Sequence, residues 1–291
     1  MRNGVDVAPE QRIGAGTRPR PMGVHNSAEE DSTIATTVEL QNHIVTRSIL
    51  GVNVAVSSYD EVVRRSLAWA AERQSRALFF APVHMIMEAA DDPAFLARLN
   101  DADMVLPDGM PLVWALRALG ERSAQRVCGP DATNLVLAAA EKAGVPVGFY
   151  GGSQAALDAL ISAVRLRHPN LNVVFVESPP FRALTPEEDA AVVGRIASSG
   201  VRWLFVGLGC PKQENWVIEH AGRVHAVMFA VGAAFDFIAG SKRRAPQWMR
   251  RCGLEWLFRL LSEPRRLFWR YLKHNPRFVL RFLWQLLVGS S

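Results

Sequence analysis

Trp203-Leu204-Phe205-Val206 runs directly into Gly207-Leu208-Gly209-Cys210-Pro211-Lys212-Gln213-Glu214-Asn215-Trp216, so an apolar tetrad ends in a glycine pair just where a polar helix begins. Four consecutive apolar residues bounded by glycine read as a strand buried on both faces, which is the parallel-sheet pattern. Pro211 suits the first turn of a helix, and the free N–H groups of that turn favour an anion. Lys212 adds a mobile cation, and Gln213 an uncharged donor and acceptor. The string fits either a phosphate-holding turn or a plain strand-to-helix connection, and its neighbours must decide.

The same pattern recurs along the chain. Strands are expected at Ile49 to Val56, Leu78 to Ala81, Met104 to Leu106, Val145 to Tyr150, Val173 to Val176, Trp203 to Gly207 and Ala226 to Val231. Helical periods lie near 60–73, 84–99, 110–119, 131–143, 153–167, 186–198 and 211–221, punctuated by Pro93, Gly120, Pro130, Gly144, Pro169 and Pro186. Alternation of this kind predicts an α/β fold, a Rossmann-like and mostly parallel sheet flanked by helices. In such sheets ligands bind beyond the carboxyl ends of the strands. The residues there are Pro82-Val83-His84, Pro107-Asp108-Gly109, Gly151-Gly152-Ser153, Gly207-Leu208-Gly209 and Gly232 to Asp236, a set that suits a nucleotide-type ligand.

Composition bounds the rest. A chain of 291 residues with 49% apolar and 21% charged residues can bury a substantial core. Residues 1–45 lack any apolar period and read as a disordered arm, with no secretory signal; 46–240 form the α/β core. Cys128, Cys210 and Cys252 are widely spaced and fit a reducing compartment, with Cys210 either a buried filler or a nucleophile lacking an obvious His partner. No uncharged apolar run is long enough to span a bilayer.

The net charge of +5 is unevenly spread, because Ser241 to Ser291 alone carries +10. Pro246, Pro264 and Pro276 are expected to divide this basic segment, 241–291, into three short helices. On the second, Leu267, Phe268, Tyr271 and Leu272 share one face, and Arg266, Arg270 and Lys273 the other. Such faces pack on the core, on a sister subunit in a homo-oligomer, or on an anionic membrane surface, and Trp256, Trp269 and Trp284 tilt the reading toward lipid. The aromatics sit among Leu and Val rather than Gly and Ser, which argues against nucleic acid.

Several residues are candidates for chemistry. Asp108 either acts as a general base or caps the helix beginning near Met110. Asp236, flanked by Phe235 and Phe237, either accepts from backbone N–H groups or holds ligand hydroxyls or a base edge. Asp101-Ala102-Asp103 has the spacing of a metal-holding DxD but precedes its strand, which favours a solvated turn. His84 is an acid or base, or a capped helix-start residue. Neither GxxxxGK nor a full GxGxxG is present, which weakens ATPase and dehydrogenase readings.

Taken together, the segments from about Ile49 to Arg270 resemble the WecG/TagA/CpsF glycosyltransferases. The matching stretches are Val83-His84-Met85, PDGMPLVW (107–114), CGPD (128–131), FYGG (149–152), SPPFR (178–182), VGLGCPKQENW (206–216), VGAAFDFIAG (231–240), RAPQWM (244–249) and GLEWLFRLLSEPRR (253–266). The resemblance implies inverting transfer of a hexose or N-acetylhexosamine-type sugar from a UDP-sugar to a polyprenyl-diphosphate-linked saccharide, in cell-surface polysaccharide assembly. It implies no metal or other cofactor, and a cytoplasmic enzyme peripheral to the inner face of the cell membrane. By position it makes Asp108 the base, and Gly151, Gly152, Gly207, Gly209, Lys212, Gln213 and Asp236 the donor wall. Arg244, Arg265 and Arg266 become diphosphate or membrane contacts. One departure stands out: Phe80 and Pro82 occupy the positions of the family's T-x-N motif. That opens a second reading, a catalytically silent homologue that binds or assembles with a polysaccharide complex.

Overall fold

The computed structural model describes residues 44–289. The arm expected over 1–45 therefore lies outside the described residues, apart from Ile44 and Val45. Two antiparallel strands come first, β1 (Thr46–Ile49) and β2 (Val52–Ala55). A single strand was expected over Ile49 to Val56, but Leu50 and Gly51 take φ of 52° and 90° and turn the chain back on itself. Positive φ at both central residues is the geometry of a two-residue hairpin, and this hairpin stays outside the main sheet.

The chain then alternates through α1 (Tyr59–Ala71), β3 (Arg76–Ala81), α2 (Val83–Asp91), α3 (Pro93–Asn100), β4 (Met104–Pro107), α4 (Met110–Ala118) and α5 (Gly129–Ala143). It continues through β5 (Val147–Gly151), α6 (Gln154–Arg167), β6 (Val173–Glu177), α7 (Pro186–Ser199), β7 (Trp203–Gly207), α8 (Lys212–His220), β8 (Val227–Ala230) and α9 (Ala234–Ile238). The remaining six expected strands thus form, within a residue or two, one parallel sheet in the order β4-β3-β8-β7-β5-β6. The helix expected over 84–99 is two helices. The Asp92 carboxylate accepts from the Ala94 and Phe95 N–H groups at 2.9 and 3.2 Å, starting α3 with Pro93 in its first turn.

Side-chain alternation along the strands builds two apolar layers. Phe79, Val105, Tyr150, Leu204, Val206 and Met228 face one side, packed by α2, α3, α4, α7 and α8. Leu78, Phe80, Leu106, Phe149, Phe205 and Phe229 face the other, packed by α1, α5, α6 and α9. A sheet covered on both faces opens only at its strand ends, which confines ligands to the carboxyl edge.

After α9 come α10 (Gln247–Arg251), α11 (Glu255–Ser262) and a 25-residue helix, α12 (Pro264–Val288). Pro276 was expected to end a helix, yet it lies inside α12 on the exposed side. Contacts on both sides of it outweigh the roughly 3 kcal/mol that an interior proline costs. Leu267, His274, Phe278 and Phe282 are buried, and the last two join the core layer that includes α2. Arg277 and Arg281 both reach Asp91 at 2.8 Å. Gln285 accepts from Leu50 N–H at 2.9 Å and donates to Ser48 C=O at 2.7 Å, gripping the hairpin turn. Of the face expected to pack on the core, a sister subunit or a membrane, Leu267 is buried while Phe268 and Leu272 are exposed, so these two do not pack on the core.

Helix α12 thus packs one of its faces into the core. Phe278→Ala is expected to lower stability by about 3 to 5 kcal/mol in denaturant titration. A change within about 0.5 kcal/mol would show that the helix packs only loosely.

Candidate functional site

Asp108 ends β4, and its N–H donates to Ala81 C=O at 3.1 Å, extending the β3–β4 ladder by one bond. The residue does not cap α4: Gly109 is the N-cap, and no side chain bonds to it there. The carboxylate opens instead into a cleft of about 290 Å³ whose far wall is built by the basic segment. Arg126 organises this cleft. Its Nη2 donates to Asp108 Oδ1 at 3.2 Å, its Nη1 to Glu255 Oε2 at 2.8 Å, and its Nε to the Asp108 carbonyl. Burial pushes the Asp108 carboxyl above the ordinary carboxylate range, Arg126 and Arg259 pull it back, and the Glu255 charge adds to the rise. A base held somewhat above the usual range is better matched to taking a proton near neutrality.

Arg259, Tyr271 and Asn275 complete the cleft wall, and Gly253 brings the chain close over α4. A Cβ at Gly253 would fall 2.9 Å from Met110 Cγ, and its φ of 74° suits glycine. Arg126, Glu255, Arg259 and Tyr271 escaped the sequence reading. The one local signal was Arg126 standing just before Cys128-Gly129-Pro130-Asp131, a charge leading into a buried helix start.

The glycine turns lie at the ends of β5 and β7. A Cβ on Gly151 would sit 2.5 Å from Gly207 O, and one on Gly207 would sit 2.6 Å from the Phe235 ring. These two glycines are therefore required by close packing of backbone on backbone and ring. Gly152, Gly207 and Lys212 line a second, larger cleft of about 740 Å³, walled by the segment from Pro179 to Pro186. Its floor is a stack in which the Trp216 ring lies 4.7 Å from Tyr150 and 3.9 Å from His220. His220 is fixed by Asp189 at 2.8 Å, which also holds Arg223 at 2.7 Å. Phe181, by contrast, is 85% exposed at the rim.

Gln213 is placed differently from Lys212. It is buried, its Oε1 accepts from Gly209 N–H at 3.0 Å, and its Nε2 donates to Glu214 Oε1 at 2.8 Å. The amide clamps the turn, while Lys212 stands exposed at the start of α8. Cys210 lies behind the turn, 3.9 Å from Glu88, and burial together with Glu214 and Glu88 keeps its thiol protonated. That removes the nucleophile reading.

Asp236 falls in the first turn of α9 and pairs with Lys242 at 2.9 Å. Arg244 bonds to Asp131 at 2.5 and 3.1 Å, and Arg250 reaches the same carboxylate at 3.4 Å. Arg244 and Arg259 both lie over the Phe237 ring, at 5.8 and 5.7 Å. Arg265 is exposed on the first turn of α12, and Arg266 pairs with Glu263. At the opposite end of the sheet, Asp103 of the DxD accepts from Arg76 at 2.6 Å and Ala77 N–H at 2.8 Å, an internal anchor at the foot of β3. Phe80 points into the α5 layer, 3.6 Å from a Cβ placed on Gly129, whereas Pro82 lines the Asp108 cleft.

A carboxylate-bearing cleft and a cation-rimmed cleft thus lie at one sheet edge. The model of the Glycosyl transferase WecG/TagA/CpsF family matches residues 47–291. The chain belongs to this family. It is similar to the N-acetylglucosaminyldiphosphoundecaprenol N-acetyl-beta-D-mannosaminyltransferase of Staphylococcus aureus strain MW2, 29% identical over 246 residues that cover 84% of this chain and 94% of the relative. The protein of that name from strain NCTC 8325 matches to the same extent. Within this WecG/TagA/CpsF chain, PDG, CGPD, RAPQWM and GLEW meet around Arg126, Asp131 and Glu255, while FYGG and GLGCPKQE meet at the glycine turns.

Glu214 is fully buried beside the glycine turn, and burial pushes its carboxyl up to about 7. Its protonated form therefore favours the folded state, a contribution complete below the ordinary value of 4.5 and lost as pH rises through about 7. Glu214→Gln is expected to exceed the parent in stability at pH 8 by on the order of 3 kcal/mol, with the gap closing toward pH 5. Equal denaturant midpoints at pH 8 would refute a raised Glu214 pKa.

Proposed function

We propose that the chain is an inverting glycosyltransferase that moves an N-acetylhexosamine-type sugar from a UDP-sugar to a polyprenyl-diphosphate-linked saccharide, with Asp108 as the base. The observation that carries this is the Asp108 carboxylate, uncapped, facing a cleft and restrained by Arg126 through one of its oxygens. The relatives' names supply the acceptor class, a sugar on a prenyl diphosphate. Strand spacing supports the donor class. From Gly207 on β7 to Asp108 on β4 is three strand intervals, roughly 14 Å, a span suited to a nucleoside diphosphate with its sugar.

In this reading the diphosphate lies along the glycine turns with Lys212, and Asp236 faces the ribose end. The sugar reaches Asp108, which removes the acceptor hydroxyl proton as that oxygen attacks the anomeric carbon and UDP departs. One base and one displacement invert the centre. The departing charge is met by the chain's own cations, Lys212 and the arginines of the basic segment, so no metal is required.

UDP release with a GlcNAc-diphosphate prenyl acceptor is expected to survive EDTA and to fall by about 10²- to 10⁴-fold in Asp108→Asn. Loss of Arg126 removes the main pull that lowers the Asp108 pKa, so Arg126→Gln should move the acid limb of kcat/KM to higher pH. Full activity in Asp108→Asn would remove it as the base. Absence of turnover of any UDP-sugar by the parent would favour the silent-homologue reading, in which Pro82 itself supplies no side-chain hydrogen bond to the cleft.

The exposed side of α12 carries Phe268, Trp269, Leu280, Leu283, Trp284 and Leu287 beside Arg265 and Lys273. Among the described residues no helix is long and apolar enough to cross a membrane. This face supports peripheral attachment, each basic residue contributing about 1 kcal/mol on an anionic leaflet. Trp269→Ser with Trp284→Ser is expected to abolish co-sedimentation with anionic vesicles while the unfolding midpoint holds. Undiminished sedimentation would place the contact elsewhere.

A further inference from the structure

His84 stands in the first turn of α2, immediately beyond β3 and one strand from Asp108, since Ala81 pairs with Pro107. It lines the same cleft. Its Nε2 is sealed from solvent and has no hydrogen-bond partner. Such atoms are rare in folded proteins, because burial removes a water contact that nothing replaces. The His274 ring lies 6.4 Å away at a tilt of 56°, and its Nδ1 is likewise unpaired, so neither ring satisfies the other.

Burial pushes His84 down to about 3, and Arg270, His274, Arg259 and Arg266 add to the fall. The ring is therefore neutral, with one N–H and one lone pair available across the ring. That chemistry suits an uncharged polar group. The arginines that surround it are the better partners for phosphate. Distance narrows the choice further. Neighbouring strands are about 4.8 Å apart, close to the separation of groups around one sugar ring, so a ring seated against Asp108 also offers a substituent to His84.

We infer that His84 is a specificity-determining contact, its Nε2 hydrogen-bonding a hydroxyl or acetamido group of the sugar seated against Asp108. The inference rests on the transferase reading and goes beyond it, because it assigns the β3 side of the cleft to sugar recognition.

The test uses the full chain with UDP-N-acetylmannosamine and a short-chain prenyl-diphosphate GlcNAc, and compares the parent with His84→Leu and His84→Gln. Leu is expected to lower kcat/KM by about 10- to 100-fold, mostly through KM. The ligand-free unfolding midpoint should be kept or raised, because an unpaired polar atom leaves a buried site. Gln, whose amide reaches the position of Nε2, should regain part of the loss. A raised KM for the acceptor alone assigns the contact to the acceptor sugar, and a raised KM for the donor alone to the transferred sugar; either supports the inference.

Unchanged kcat/KM for both substrates in His84→Leu, with the parent active, overturns the inference and leaves the transferase reading intact. So does equal impairment of Leu and Gln accompanied by lower stability in both, the mark of a packing role. If the parent neither turns over nor binds the acceptor analogue by calorimetry, the transferase reading and this assignment fall together.

Discussion

The guanidinium of Arg126 holds three acceptors that belong to two parts of the chain: the carbonyl and carboxylate of Asp108 at the end of β4, and the carboxylate of Glu255 at the start of α11. A planar fork of five donors can do this where an ammonium cannot. With one positive charge between two negative ones in a confined cleft, each member needs the others. Removing one partner from a buried pair of this kind costs about 3 to 5 kcal/mol, because the charge left behind is neither hydrated nor paired. The ionisation of Asp108 and the seating of the basic segment are therefore a single equilibrium.

Helix α12 shares that equilibrium. It supplies Tyr271 and Asn275 to the cleft, and it is fastened far from the cleft by Asp91 and by the hairpin turn that Gln285 grips. The turn needs this, because Leu50 sits at a φ of 52° that a bulky side chain adopts only when its surroundings impose it. The hairpin stands outside the sheet and buries Ile49, Val52 and Val54 in the layer that also receives Phe278 and Phe282. It thereby acts as a bracket for the C-terminal helix.

The sheet was legible because both of its faces are buried. Each central strand then reads as an apolar run closed by Gly, Pro or Asp, and those closing residues are the ones at the ligand edge. What escaped the sequence depends on contacts between distant positions. Pro276 reads as a break from local propensity alone, yet Asp91, 185 residues earlier, helps hold the helix through it. Asp108 reads as a cap because any Asp before a helix does, and only Arg126 turns it elsewhere. Gln213 looked like a ligand contact and is spent on its own turn, while Gly151 and Gly207 answer first to each other and to Phe235. A string that handles phosphate and one that packs tightly share the same residues, since both need backbone close to something.

Polar atoms left unpaired show where the fold gives up stability. Besides His84 Nε2, the buried atoms without partners include the Nε of Arg244, Arg250 and Arg259 and the Nδ1 of His274, all in or beside the basic segment that walls the Asp108 cleft. Others lie away from that segment, at Ser66 Oγ, Arg98 Nε, Glu214 Oε2, Asn215 Oδ1 and Trp216 Nε1, whereas Asp189 takes both His220 and Arg223 and Trp203 donates to Ser66 C=O at 3.0 Å. A cluster of cations held close to one another, with donors still free, is unfavourable in an empty protein and becomes favourable when a polyanion enters. The same helix that carries part of this wall turns an aromatic face outward. Coverage of that face by lipid and filling of the cleft by a lipid-linked diphosphate would relieve two costs on one element, which is a physical reason for one segment to carry both.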